Sequence, residues 1–99
     1  MDKSKQIAPH ESELQGRWIE VEGRITEDSM CKRIELLIAE YLVKIGKDVS
    51  GWLTLFQDPE DGRYWQRSFP HSDWQGGGPP LLTVLTEKEA RERYPHLFQ

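Results

Sequence analysis

Ninety-nine residues suit one domain around one core, because two halves of such a chain would each bury too little surface to fold. Seventeen acidic against 13 basic side chains leave a net charge of −4, and no run of lysine or arginine tracks one element, which argues against a nucleic-acid partner. No apolar stretch approaches the roughly 20 residues of a membrane span, and the one cysteine, Cys31, has no intrachain partner, so the expected setting is a reducing cytoplasm and not a membrane.

Residues 1–13 are polar and charged and contain Pro9; they read as a flexible leader without the apolar run of a signal peptide, with one domain over 14–99. From Gln15 to Thr26 the pattern alternates, Ile19, Val21 and Ile25 against Glu20, Glu22 and Arg24, which predicts one half-buried strand with a bend at Gly23. Asp28 or Ser29 then caps a long helix whose apolar residues recur at three and four from Met30 through Ile34, Leu37, Tyr41 and Ile45, stopping at Gly46. Leu36, Ala39 and Val43 fall on another side of that helix, either under a second layer or as a patch through which the chain homodimerises.

"GWLTLFQ" (51–57) and "RYWQRSF" (63–69) are rich in β-formers and flank "DPEDG", where Pro59 and Gly62 suit a tight turn; the two pair as a hairpin. "LLTVL" (81–85) is a short buried strand, and Thr86 with Glu89 makes a capping box for a terminal helix ending before Pro95. The expected fold is α+β: a small, mostly antiparallel sheet of about four strands packed on one long helix, with a short C-terminal helix, in the order β-α-β-β-β-α.

Several residues invite a chemical reading. Cys31 near a helix N-terminus can become a nucleophile, yet it borders the apolar face, and a buried, inert thiol is the reading adopted. His10, His71 and His96 have none of the short spacings that bring two ligands to one metal, and no cofactor is called for. Asp58 and Asp61 read as turn-forming carboxylates; the alternative is a small enzymatic or ligand-binding site built from Asp58, Asp61 and His71.

"HSDWQGGGPP" (71–80) sets the loosest backbone in the chain against the stiffest. Two readings stand. Gly76, Gly77 and Gly78 let the loop bring its backbone close to a partner while the prolines hold its exit, or they allow an internal crossing beneath Trp52 or Trp65. The third strand raises the same choice: Arg63, Trp65, Arg67 and Phe69 share a side, either as an open surface with Trp74 and the turn acids, or with Trp65 packed under the terminal helix. Tryptophan and arginine dominate binding energy at protein interfaces.

With these segments placed, the chain resembles a family of bacterial polymorphic-toxin immunity proteins, immunity protein 27. The matching stretches are "LQGRW" (14–18), "CKRIELLI" (31–38), "GWLTLFQDPEDGRYWQRSFP" (51–70), "GGGPPLLTVL" (76–85) and "EKEARERY" (87–94). Gln66, where an acid is expected, and Trp74–Gln75 before the glycines depart from the family pattern, on the surface just drawn. The resemblance implies a noncatalytic cytoplasmic protein that binds and neutralises a toxin encoded beside it. The residues expected at that contact are Asp58, Asp61, Arg63, Trp65, His71, Trp74, Gly76, Gly77 and Gly78.

Overall fold

In the computed structural model, which describes residues 6–74 and 77–98, the chain runs β1 (Glu13–Gln15), β2 (Trp18–Val21), β3 (Arg24–Glu27), α1 (Ser29–Glu40), β4 (Val43–Lys47), β5 (Thr54–Gln57), β6 (Tyr64–Ser68), β7 (Leu81–Leu85) and α2 (Glu87–Arg93), then a 3-10 turn at Pro95–Leu97. Five strands form an antiparallel sheet in the order β1-β7-β6-β5-β4, and β2 and β3 pair separately. The class is the expected α+β with a mostly antiparallel sheet. Strand number and helix length differ from expectation, each for a local reason.

The single strand expected over Gln15–Thr26 is broken at Gly16. There the backbone passes so close to its neighbours that a Cβ would lie 2.7 Å from the Cys31 sulfur and 2.9 Å from the Pro80 carbonyl oxygen. The rest folds on itself at Glu22 and Gly23, whose φ values of +51° and +79° make the left-handed pair of a tight hairpin turn. The β2–β3 register runs from Trp18↔Glu27 to Val21↔Arg24, which places Ile19 and Val21 on one face and Ile25 with Trp18 on the other. Exposures of 42% for Ile19, 50% for Val21 and 67% for Ile25 correct the half-buried strand to a hairpin standing in solvent.

Helix α1 begins as expected, with the Asp28 carboxylate accepting the Cys31 N–H at 2.8 Å. It ends at Glu40 and not near Gly46. The Tyr41 and Leu42 N–H groups both close on the Leu37 carbonyl, and residues 43–47 leave to pair with β5. Pairing decides this segment: β-branched Val43 and Ile45 favour a strand, and β5 offers a ladder of backbone partners interrupted by a bulge at Ile45. The expected Leu36–Ala39–Val43 helical patch therefore does not exist: Leu36 stays on α1, half-buried, while Val43 stands exposed on the edge strand β4.

Both faces of the sheet are covered. Cross-strand partners Phe56↔Trp65 and Trp65↔Val84 turn one row of side chains toward α1, where Ile34 and Leu37 meet Leu14, Leu82, Phe56 and Trp65 in the larger core cluster. The opposite row, with Leu55 and Leu85, packs on Ala90 and Tyr94 from the C-terminal elements. Helix α2 starts with the anticipated capping box, Thr86 Oγ1 accepting the Glu89 N–H at 3.1 Å and Glu89 Oε1 accepting the Thr86 N–H at 3.0 Å.

Residues 6–12 belong to the packed structure and not to a loose leader; residues 1–5 of that expected leader lie outside the described residues. Ile7 is 5% exposed within the α1-side core. The Arg33 guanidinium grips both Glu11 carboxylate oxygens at 2.7 Å and donates to the Gln6 carbonyl at 2.9 Å. From the other side, Arg63 donates to the carbonyls of Glu11 (2.6 Å) and Ala8 (3.1 Å).

The hydrogen bonds from Arg33 lower the Glu11 carboxyl from 4.5 to about 2, against the upward push of partial burial. A depressed folded-state value means that this pair's stabilisation is complete above the unfolded-state value and is lost as pH falls through the folded one. Urea unfolding of the wild type should therefore weaken between about pH 5 and about pH 2 more steeply than that of Glu11→Gln. Parallel pH profiles for the two proteins would show that the strap is not held by this ion pair.

Candidate functional site

The turn residues expected at a partner surface serve the fold. Asp58 is 1% exposed, and its Oδ1 accepts the Tyr41 hydroxyl at 2.6 Å and the Glu60 N–H at 2.8 Å, closing the β5–β6 turn. Asp61 accepts the Arg63 N–H at 2.9 Å and pairs with its Nε at 2.7 Å. Arg63 is thus spent on Asp61, on the residue 8–11 strap and on the Trp65 ring, 5.0 Å below its guanidinium carbon.

Trp65 is 0% exposed, which overturns the open surface expected around it. It packs under α1 and not under the terminal helix, because the Phe56↔Trp65 pairing turns its side of β6 toward α1. Gln66 faces the other layer, where its Oε1 accepts the Tyr94 hydroxyl at 2.9 Å, so the departure at this position lies in the core and not on a docking face. Burial, with the Asp48 charge adding to it, pushes the Tyr94 phenol up to about 12 and keeps it a donor.

His71 and Trp74 are exposed and stacked on one another, ring centroids 4.1 Å apart and planes within 10°. Trp74, 45% exposed, also lies 5.9 Å from the ring of Trp18 at the root of the β2–β3 hairpin. Two successive turns hold the loop: the Trp74 N–H donates to the His71 carbonyl and the Gly77 N–H to the Trp74 carbonyl, each at 2.9 Å. Gly76 lies outside the described residues. Gly77 has open space around it, whereas a Cβ on Gly78 would collide with the His71 carbonyl. Gly78 thus serves a crossing inside the loop itself, and Trp52, 66% exposed, is not its cover.

Pro79 and Gly78 are buried, and the Gly16 N–H donates to the Pro80 carbonyl at 2.9 Å, tying the loop's exit to the root of the hairpin. Trp18 stands between two recesses. One, of about 420 Å³, is bounded by Arg17, Trp18, His71, Trp74 and Pro79; the other, of about 300 Å³, by Trp18, Glu27, Glu35, Arg67 and Phe69. Burial and the neighbouring Glu27 raise the Glu35 carboxyl, and burial lowers the Arg67 guanidinium.

The expected rival site does not assemble. Asp58 and Asp61 sit in the turn before β6 and His71 follows β6, so the five residues of that strand separate them by about 17 Å of extended chain. Cys31 is buried, its thiol donates to the Arg17 carbonyl at 3.3 Å, and burial with the nearby Asp28 carboxylate raises it above the ordinary value, opposite to the activation of a nucleophile. Among the described residues no group of three or more His, Cys, Asp or Glu side chains is placed to hold a metal ion, and no helix is long and apolar enough to cross a membrane.

Sequence reasoning did not place Trp18 and Ile25 beside the loop that carries Trp74. The signal for them was "VEGR": glycine after a polar residue inside an alternating run marks a two-residue hairpin, which splits the run and frees its faces. A model of the family described as immunity protein 27 matches residues 20–86, more than half of the chain. No curated protein and no solved structure matches it.

Two substitutions separate backbone strain from the loop crossing. Gly77→Ala places a side chain at φ +90° in open space and should lower stability to urea by about 1 kcal/mol. Gly78→Ala, at φ +75° against the His71 carbonyl, should destabilise more than that and weaken the His71–Trp74 stack, read as a change in tryptophan emission. Equal effects at the two positions would mean that the crossing does not restrain the loop.

Proposed function

From the premise that the chain belongs to the immunity protein 27 family, we propose that it is a noncatalytic inhibitor that binds and neutralises a toxin encoded beside it in a bacterial polymorphic toxin system, acting in the cytoplasm. Docking runs through the end of the molecule where the His71–Trp74 loop meets the β2–β3 hairpin. The observation that carries this is the position of Trp74: a large ring nearly half exposed, stacked on His71, beside Trp18, with its N–H bonded back to the His71 carbonyl.

Aromatic side chains in such settings supply most of an interface's binding energy, and a loop ordered in advance loses little entropy on docking. Ile25, on the same face of the hairpin as Trp18, extends the apolar centre along the hairpin. Glu20, Glu22 and Glu27 against Arg24 make the hairpin acidic, which suits a partner with a basic rim and hastens its approach. Such a patch is adequate for tight inhibition, since very tight complexes are known with only about 800 Å² buried per partner.

Of the nine residues expected at the contact, His71, Trp74 and Gly77 are kept, joined by Trp18 and Ile25. Asp58, Asp61, Arg63, Trp65 and Gly78 are assigned to the fold, and Gly76 lies outside the described residues. The toxin domain encoded by the neighbouring gene, titrated calorimetrically with the purified chain, should form a complex that Trp74→Ala weakens by about 2 kcal/mol or more, roughly 30-fold, at an unchanged urea midpoint. Full affinity in that folded variant would take the loop out of the docking face.

A further inference from the structure

The antiparallel order sends alternate connections to opposite ends of the sheet. The β5–β6 turn lies at one end. The β4–β5 turn (residues 48–53), the β6–β7 loop and the exit of β1 toward the hairpin all lie at the other, since Lys47 and Thr54 pair there, as do Ser68 with Leu81 and Gln15 with Leu81. Two of these three connections already form the docking face. The third carries Val49, 91% exposed, and Trp52, 66% exposed.

That turn is built to hold its shape. Asp48 Oδ1 accepts the Gly51 N–H at 2.9 Å, the Leu53 N–H at 3.2 Å and the Ser50 hydroxyl at 2.8 Å. Backbone bonds from Asp48 N–H to the Leu53 carbonyl (3.0 Å) and from Gly51 N–H to the Asp48 carbonyl (3.1 Å) close it. At its root, His96 Nε2 lies 2.7 Å from the Lys47 carbonyl oxygen, bracing the turn from the C-terminal layer. None of these bonds involves the side chain of Val49 or Trp52, and neither residue joins a core cluster. Polar residues at both positions would leave every one of the bonds intact, so the fold does not account for an isopropyl group and an indole exposed to water on this turn.

We propose that Val49 and Trp52 form a second anchor for the same toxin, which straddles the end of the sheet and receives this convex tip in an apolar recess of its own surface; the inference rests on the toxin-binding reading above. The tip and the His71–Trp74 loop leave adjacent strands, β5 and β6, about 4.8 Å apart. A face of about 800 Å² spans the whole sheet end, so one partner of ordinary size covers both anchors. A protruding tip requires a concave partner, and a toxin's catalytic cleft is a surface of that shape.

The test uses the toxin domain from the neighbouring gene, with Trp52→Ala and Val49→Ser titrated beside wild type and Trp74→Ala. Each tip variant should keep the wild-type urea midpoint, and Trp52→Ala should weaken binding at least about tenfold. If Trp74→Ala weakens the complex while both folded tip variants bind as wild type, the second anchor is overturned and the toxin-binding reading stands. If the wild-type chain does not bind the toxin at all, both fall. Sedimentation with phosphatidylglycerol vesicles that is lost in Trp52→Ala would instead assign the tip to a lipid surface. A concentration-dependent dimer lost in the same variant would assign it to a second copy of the chain. Either result overturns the proposal.

Discussion

Covering β6 on both faces at once is the constraint from which the rest of the arrangement follows. Trp65 is enclosed against α1, and the next residue, Gln66, points the other way to hydrogen-bond Tyr94 in the C-terminal layer. A strand alternates faces with period two, so placing an indole on one side puts an amide on the other, and each needs its own cover. The amide oxygen has a buried donor and is not stranded, which matters more than the modest net strength of the bond itself. With both faces occupied, the sheet itself leaves only its edges and ends open to solvent.

The end bearing the aromatic loop is stiffened by contacts that cross between segments distant in sequence. Gly16 packs against Cys31 and donates to the Pro80 carbonyl, so the hairpin root, the start of α1 and the exit of the 71–80 loop meet in one place. Cys31 earns its position there by size: a small buried side chain whose thiol bonds the Arg17 carbonyl. Close packing at this junction bears on the proposed docking, because a ring on a mobile loop gives back in ordering entropy much of what its burial contributes.

Charge has two separate uses in the molecule. Arg33 with Glu11, and Arg63 with Asp61 and the carbonyls of Ala8 and Glu11, fasten the N-terminal strap across the turn end of the sheet. These pairs are partly shielded from solvent, where ionic hydrogen bonds are stronger than on an open surface. The acidic residues of the hairpin, Glu20, Glu22 and Glu27, by contrast, stand in solvent, where their field reaches beyond contact distance.

Local rules made several elements legible from residues alone: the Asp28 cap, the Thr86–Glu89 capping box, the 58–63 turn between two β-rich strands, and "LLTVL" as a buried strand. Each depends on neighbours within a few positions, so the sequence by itself determined them, and its motifs pointed to the family that the matched model identifies. What lay beyond local rules was decided by partners far along the chain. Residues 43–47 became a strand because β5 was there to receive them, and Trp65 became core because α1 crosses its side of the sheet. Trp18 became half-buried beside the exposed His71–Trp74 pair because the loop that carries Trp74 returns beside it. Periodicity states that a side chain must face something; only the folded arrangement says whether that something is protein or water.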